Sequence, residues 1–189
     1  MNDKVTKIKE QILEVLKSVK REGMDKLLEF LESGDFFTAP ASTKYHCAYP
    51  GGLAEHSWNV YVLFKEKIRY FNLDVSDDSA AICAILHDLC KTDFYYTAMR
   101  NVKENGKWVQ KEGYSAKDKL PFGHSEKSVY LIQRYIALTD IEALAIRWHM
   151  GFTEPKDHWN KMHDAMAISP AVAALHTADL ESSFLVEER

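Results

Sequence analysis

The chain has 189 residues, enough for one domain with a substantial core and a small appendage. Hydrophobic residues make up 46% and charged residues 28%, the profile of a folded globular protein rather than a disordered one. The formal net charge is −4 and no long basic run occurs, so tight binding to a nucleic-acid duplex is not expected, while small anionic substrates and short single strands stay open.

Cys47, Cys83 and Cys90 are the three cysteines. An odd count without C-x-x-C spacing argues against a disulfide framework and against a thiolate zinc site. Met1-Asn2-Asp3-Lys4 lacks the apolar stretch of a signal peptide, and no apolar run reaches membrane-spanning length. A cytoplasmic protein that neither enters nor crosses a membrane is the expectation.

Val5, Ile8, Ile12, Leu13, Leu16 and Val19 recur at helical spacing with Lys and Glu between them, which predicts an amphipathic first helix. Leu27, Leu28, Phe30 and Leu31 predict a shorter second helix stopped by Gly34. Together, residues 1–34 read as a helical hairpin packed on a main domain of residues 35–189. Residues 36–50 read as a loop, and Gly51-Gly52 opens a long helical pattern running to Phe71. Asp74 to Ser79 is an acidic turn with several N-cap candidates, leading into a helix over about 78–90. Glu104-Asn105-Gly106-Lys107 lies between Val102 and Trp108, the strongest short hairpin signal in the chain. It predicts a β-hairpin excursion near 95–112, a flap whose Tyr95, Tyr96 and Trp108 have the rings to stack a base. Helical spacing resumes over 125–137. Thr139 and Glu142 form a capping-box pattern before a helix over 140–150 that Gly151 stops. A short helix near 159–166 and a last one begun by Ser169-Pro170 and running to Leu185 complete an all-α fold with one hairpin.

Ala80 to Lys91 organises the rest. It is an apolar helical stretch ending in the adjacent pair His87-Asp88. Neighbours on a helix sit about 100° apart, so both side chains can face the same inward quadrant. A carboxylate in such surroundings needs a cationic partner, and a divalent metal co-ligated by neutral imidazole is one. His56, His124, His149 and Asp179 likewise interrupt mostly apolar helical patterns. Histidines and carboxylates converging from several helices are how a helical bundle builds a metal site. Nitrogen and oxygen donors without thiolate suit Fe, Mn, Zn, Co, Ni or Mg. Lys91, four residues after His87, is expected on the same helix face and able to meet a phosphate oxygen. Tyr45, His46 and Lys127 are further candidates for substrate contact, and Glu55 and Asp93 for orienting ligand histidines.

The order His56, His87-Asp88, Asp179 resembles the H…HD…D signature of the HD-domain metal-dependent phosphohydrolases. Tyr45-His46-Cys47-Ala48-Tyr49-Pro50-Gly51-Gly52-Leu53-Ala54-Glu55-His56 is similar to the segment around the first ligand in the HD domains of bacterial 3′–5′ exoribonucleases. Leu86-His87-Asp88-Leu89-Cys90-Lys91 resembles their HD-x-x-K stretch, with cysteine replacing the usual glycine before the lysine. Gly123-His124 and His149-Met150-Gly151 fall where two-metal members carry two more histidines. The likeness spans roughly residues 40–185. It implies an HD-domain helical bundle in which His56, His87, Asp88 and Asp179 hold a first divalent metal. Asp88 would then bridge to a second held by His124 and His149. It implies hydrolysis of a phosphomonoester or phosphodiester of a nucleotide or short oligonucleotide by metal-activated water, with Asp88 and Lys91 catalytic and Lys91 and His46 touching substrate. The residues before it do not resemble the nucleic-acid-binding module of those exoribonucleases, so the expectation stops short of processive RNA degradation. HD-type di-iron oxygenases and non-catalytic nucleotide-binding HD modules resemble the same ligand order and are the alternatives. A homo-oligomer is left open.

Overall fold

The computed structural model describes residues 3–187, so residues 1–2 and 188–189 of the expected domain spans lie outside it. Eight α-helices and one β-hairpin follow in the order α1 (Asp3–Ser18), α2 (Met24–Ser33), α3 (Gly52–Tyr70), α4 (Asp77–Leu86), β1 (Tyr95–Glu104), β2 (Lys107–Ala116), α5 (His124–Gln133), α6 (Asp140–Trp148), α7 (Trp159–Ile168) and α8 (Pro170–Glu181).

α4 is the centre of the bundle because its sequence has no polar face. Ala80 through Leu86 are all buried, with α3, α1 and α6 packed around them. Its start is set by Ser76, whose hydroxyl accepts the Ser79 backbone N–H at 3.0 Å, and by Asp77 and Asp78 at the positive end of the helix. α8 packs across α3 and α6. Ile8, Ile12 and Leu16 of α1 and Leu27 and Leu31 of α2 join the same apolar core as Leu53, Phe64, Ile82, Ile85 and Leu175. α3 begins at Gly52 because a side chain there would collide with the Cys47 carbonyl, so the loop closes tightly on the helix start.

The hairpin pairs in continuous antiparallel register from Tyr95↔Ala116 to Glu104↔Lys107, longer than the expected 95–112. Asn105 (φ 49°) and Gly106 (φ 81°) are both left-handed, as a two-residue turn matched to strand twist requires. Tyr96 and Trp108 are exposed, at 50% and 71%. Of the four hairpin aromatics, Tyr95, Tyr96, Trp108 and Tyr114, only Tyr95, at the hairpin base, lines the large cavity described below.

Several helices are shorter than their patterns. α4 ends at Leu86 rather than near 90, α5 at Gln133 rather than 137, α6 at Trp148 rather than 150 and α8 at Glu181 rather than 185. Past Leu86 the chain tightens into a 3-10 turn, Leu89–Lys91, and the Cys90 backbone N–H turns outward to Ser128 Oγ of α5 at 3.0 Å. The last helix stops at Glu181, and Ser182–Val186 widens into a π turn.

Glu142 joins three elements. It completes the Thr139 capping box, receives both guanidinium nitrogens of Arg21 at 2.8 and 3.0 Å, and accepts the Ser79 hydroxyl at 2.8 Å. Glu142→Ala is expected to cost about 3 kcal/mol, because Arg21 loses its partner and two other donors lose their acceptor. The check is a urea or thermal melt, where Tm should drop by roughly 6–12 °C; a change within error would mean that solvent replaces these bonds.

Candidate metal centre

The end of α4 delivers the two central residues. His87 keeps helical dihedrals, while Asp88 leaves them (φ −102°, ψ 21°) as the chain turns into the 3-10 segment. His56 stands on the second turn of α3, His124 is the first residue of α5, His149 follows α6, and Asp179 lies near the end of α8. His56, His87 and His149 are 0% exposed and Asp88 2%. His124 is at the rim, with a side chain 36% exposed.

These six side chains converge, and Asp88 divides them. Its Oδ2 lies 3.5 Å from both His56 Nε2 and His87 Nε2. Its Oδ1 lies 2.8 Å from His124 Nε2 and 3.7 Å from His149 Nε2. Asp179 Oδ1 sits 3.2 Å from His56 Nε2.

The tautomers define what this centre offers. His87 Nδ1–H donates to the Ala84 carbonyl at 2.8 Å, His149 Nδ1–H to the Ile146 carbonyl at 2.7 Å, and His56 Nδ1–H to Glu187 Oε1 at 2.8 Å. Each neutral ring therefore turns an Nε2 lone pair inward. The Nε2 atoms of His56 and His87 face each other at 3.2 Å, and His149 Nε2 is buried with no hydrogen-bond partner among the described residues. Lone pairs so arranged need a cation between them, so the donor set fits a divalent metal. His56, His87 and Asp88 offer one group of donors within 4.8 Å of one another, and Asp88, Cys90 and His124 another.

Without such an ion, protons take its place. Burial alone would lower the His56 pKa, but hydrogen bonds to Asp179 and Glu187 raise it to about 10. Burial likewise opposes the charge on His124, yet Cys90 and Asp88 lift it to about 9. Burial would raise Asp88, but Lys91 and His87 hold it well below the usual carboxylate range. Both raised histidines are charged at neutral pH and must release their protons to a metal. Loading at pH 7 should therefore free about one proton for each ion bound, from His56 on one side of Asp88 and His124 on the other, and the affinity for each ion should rise up to about tenfold per pH unit below pH 9. Calorimetry in buffers of differing ionisation enthalpy measures this; a pH-independent affinity with no proton release would contradict it.

Lys91 departs from the expected geometry. Because the chain turns 3-10 after Asp88, Lys91 is not stacked on the His87 face of a helix; its Nζ instead donates to Asp88 Oδ2 at 2.6 Å. Burial works against this charge, but Asp88 keeps its pKa above the ordinary lysine value. Lys91 and His46 line a cavity of about 720 Å³ that opens onto Asp88, His124 and Asp179 and is walled by Tyr45, Phe94, Tyr95 and Phe184.

Three expected roles do not fit. Lys127 is buried against Phe94 and bonded to Asp118 at 2.6 Å; it does not line this cavity but a smaller adjoining one of about 140 Å³ that shares Lys91 and His124. Glu55 takes the Lys4 ammonium at 2.7 Å, and the Asp93 backbone donates to Asp35; neither carboxylate meets a histidine among the described residues. The donor set is also not free of sulfur, since Cys90 Sγ lies 3.3 Å from His124 Nδ1.

Two neighbours carry no signal strong enough to mark them in advance. Glu187 lies beyond the last periodic helix. His176 sits three residues before Asp179, a one-turn spacing that was visible. Its Nδ1–H donates to the His149 carbonyl at 2.7 Å, and its ring lies so close to Gly151 (φ 54°) that a side chain there would collide.

The model of the HD domain family matches residues 53–182, and the chain belongs to that family. At a coarse level, membership together with the His/Asp cluster supports a hydrolase that uses a divalent metal. No curated protein and no solved structure shows a significant match to the chain. Among the described residues, no helix is long and apolar enough to cross a membrane.

Proposed function

We propose that this protein is a phosphohydrolase that cleaves a phosphomonoester or phosphodiester of a nucleotide or short oligonucleotide. The observation that carries the reading is the partition of Asp88, one oxygen toward His56 and His87 and the other toward His124 and His149, beside a cavity that contains Lys91. Divalent ions held here would take His56 and His87 as donors on one side of Asp88 and His124 and His149 on the other, with Asp88 shared. They would supply Lewis acidity and lower the pKa of water from 15.7 toward about 7.

The chain's own residues account for the rest. Lys91 offers a fixed cation to a non-bridging phosphate oxygen, where charge grows during phosphoryl transfer. Lys44 adds a donor along the same wall, and His46 a ring nitrogen. Tyr45, Phe94 and Tyr95 give the cavity an aromatic side, which favours an organic phosphate with a flat apolar group over inorganic polyphosphate.

The test is a screen of nucleotides, dinucleotides and generic phosphoesters with Mn²⁺, Co²⁺, Ni²⁺ or Fe²⁺, alongside oxygen consumption. Phosphate-ester cleavage preferring nucleotides is expected. Iron-specific oxygen uptake without ester cleavage would instead select the oxygenase alternative, and binding without turnover the non-catalytic one.

A further inference from the structure

Glu187 is a buried carboxylate that the proposed chemistry does not use. It follows the π turn after α8, its side chain is 0% exposed, and it stands between two histidines from distant parts of the chain. Oε1 accepts His56 Nδ1–H at 2.8 Å, and Oε2 accepts His46 Nδ1–H at 2.6 Å. The Ser182 hydroxyl also donates to Oε1, and Asn59 Nδ2 approaches it at 3.4 Å. Burial would raise the Glu187 pKa, but the hydrogen bonds from His46 and His56 keep it well below the usual carboxylate range.

His46, His56 and Glu187 could be read as a metal site of their own. The geometry argues otherwise. Each oxygen already holds one imidazole N–H at hydrogen-bond distance, and His56 would have to bind cations through both ring nitrogens at once. A carboxylate receiving the second nitrogen of a metal-facing histidine is instead the arrangement that fixes a tautomer and strengthens a ligand.

We propose that Glu187 is a positioning residue that sets two imidazoles with one carboxylate. It holds His56 with Nε2 toward the metal centre, and His46 with the ring nitrogen that Glu187 does not engage available to substrate at the cavity wall. The inference rests on the metal-centre reading above. It adds that the C-terminal turn ties metal affinity to substrate binding, because the same side chain orders both rings.

The experiment follows Co²⁺ affinity by competition, the His56 ring protons of the Zn²⁺-loaded protein by NMR, and binding of a nucleoside monophosphate by calorimetry. Glu187→Ala should weaken Co²⁺ binding about 10–100-fold, comparable to loss of other such partners. It should also remove the protected His56 Nδ1–H resonance. Glu187→Gln should retain only part of the affinity, because its amide can accept from one imidazole while its NH₂ faces the other. His46→Ala should leave Co²⁺ affinity within about twofold and weaken nucleotide binding. Leu185→Ala, an exposed side chain of the same turn with no bond to Glu187 among the described residues, controls for general loosening of the turn and should change neither. If Glu187→Ala binds Co²⁺ as wild type does and keeps the His56 resonance, the positioning role is wrong and the metal centre stands. If the wild-type protein takes up no metal, both fail together.

Discussion

Replacing Asp88 with alanine is expected to empty the metal centre and to lower kcat/KM on a phosphate ester by at least about 10³-fold. The argument is geometric. Asp88 is the only one of the six converging residues that lies between both imidazole pairs, and each of its oxygens faces a different pair. Loss of any single histidine leaves the other donors of its group, whereas loss of Asp88 takes an anionic donor from both. It also leaves Lys91 with no counter-charge at 2.6 Å, so some destabilisation accompanies the substitution. Asp88→Asn keeps the volume and one acceptor oxygen while removing the charge, so either Lys91 or His124 loses its acceptor. Metal analysis and kcat/KM should both collapse in it too, with the circular dichroism of the folded protein retained. Retained metal at wild-type stoichiometry in Asp88→Asn would remove the bridging role.

The second large effect belongs to Lys91. Lys91→Met is expected to lower kcat/KM by about 10²–10³-fold while metal content stays at the wild-type level, the size seen when one preorganised electrostatic contact to a transition state is lost. The split between the two readouts is the point. Lys91 touches Asp88 from the cavity side and contributes no lone pair to a metal, so its removal should not cost affinity for the ion. Loss of metal from Lys91→Met would show that its pairing with Asp88 is structural. Arginine at this position is not expected to restore activity, because a planar fork cannot occupy the place of a compact ammonium group.

Much of this centre was legible before any coordinates. Apolar Ala80–Leu86 could only be a buried helix, and a histidine and an aspartate at its end had to be reconciled with a dry environment. The Asn105-Gly106 turn, the Thr139–Glu142 box and the Ser169-Pro170 start are local signals, and local signals survive folding because they depend on few neighbours. What could not be read depends on contacts made across the chain. α4 stops at Leu86, and Ser128 of α5 captures the Cys90 N–H in the 3-10 turn that follows, which moves Lys91 off the expected helix face. Lys127 reads as a candidate for substrate contact, and only the fold shows its ammonium taken by Asp118 over the Phe94 ring. Glu187 has no periodic context and gains its surroundings only when the C-terminal turn meets α3 and the 35–51 loop. Spacing along one element predicts a face, but not which distant residue completes it.

Soaking Mn²⁺ into crystals and locating it by anomalous scattering tests the central claim most directly. The account predicts a peak between His56, His87, Asp88 and Asp179, with a second on the other side of Asp88 toward His124 and His149 at higher occupancy of the centre. No peak within coordinating distance of Asp88, with these side chains arranged as described, would contradict it.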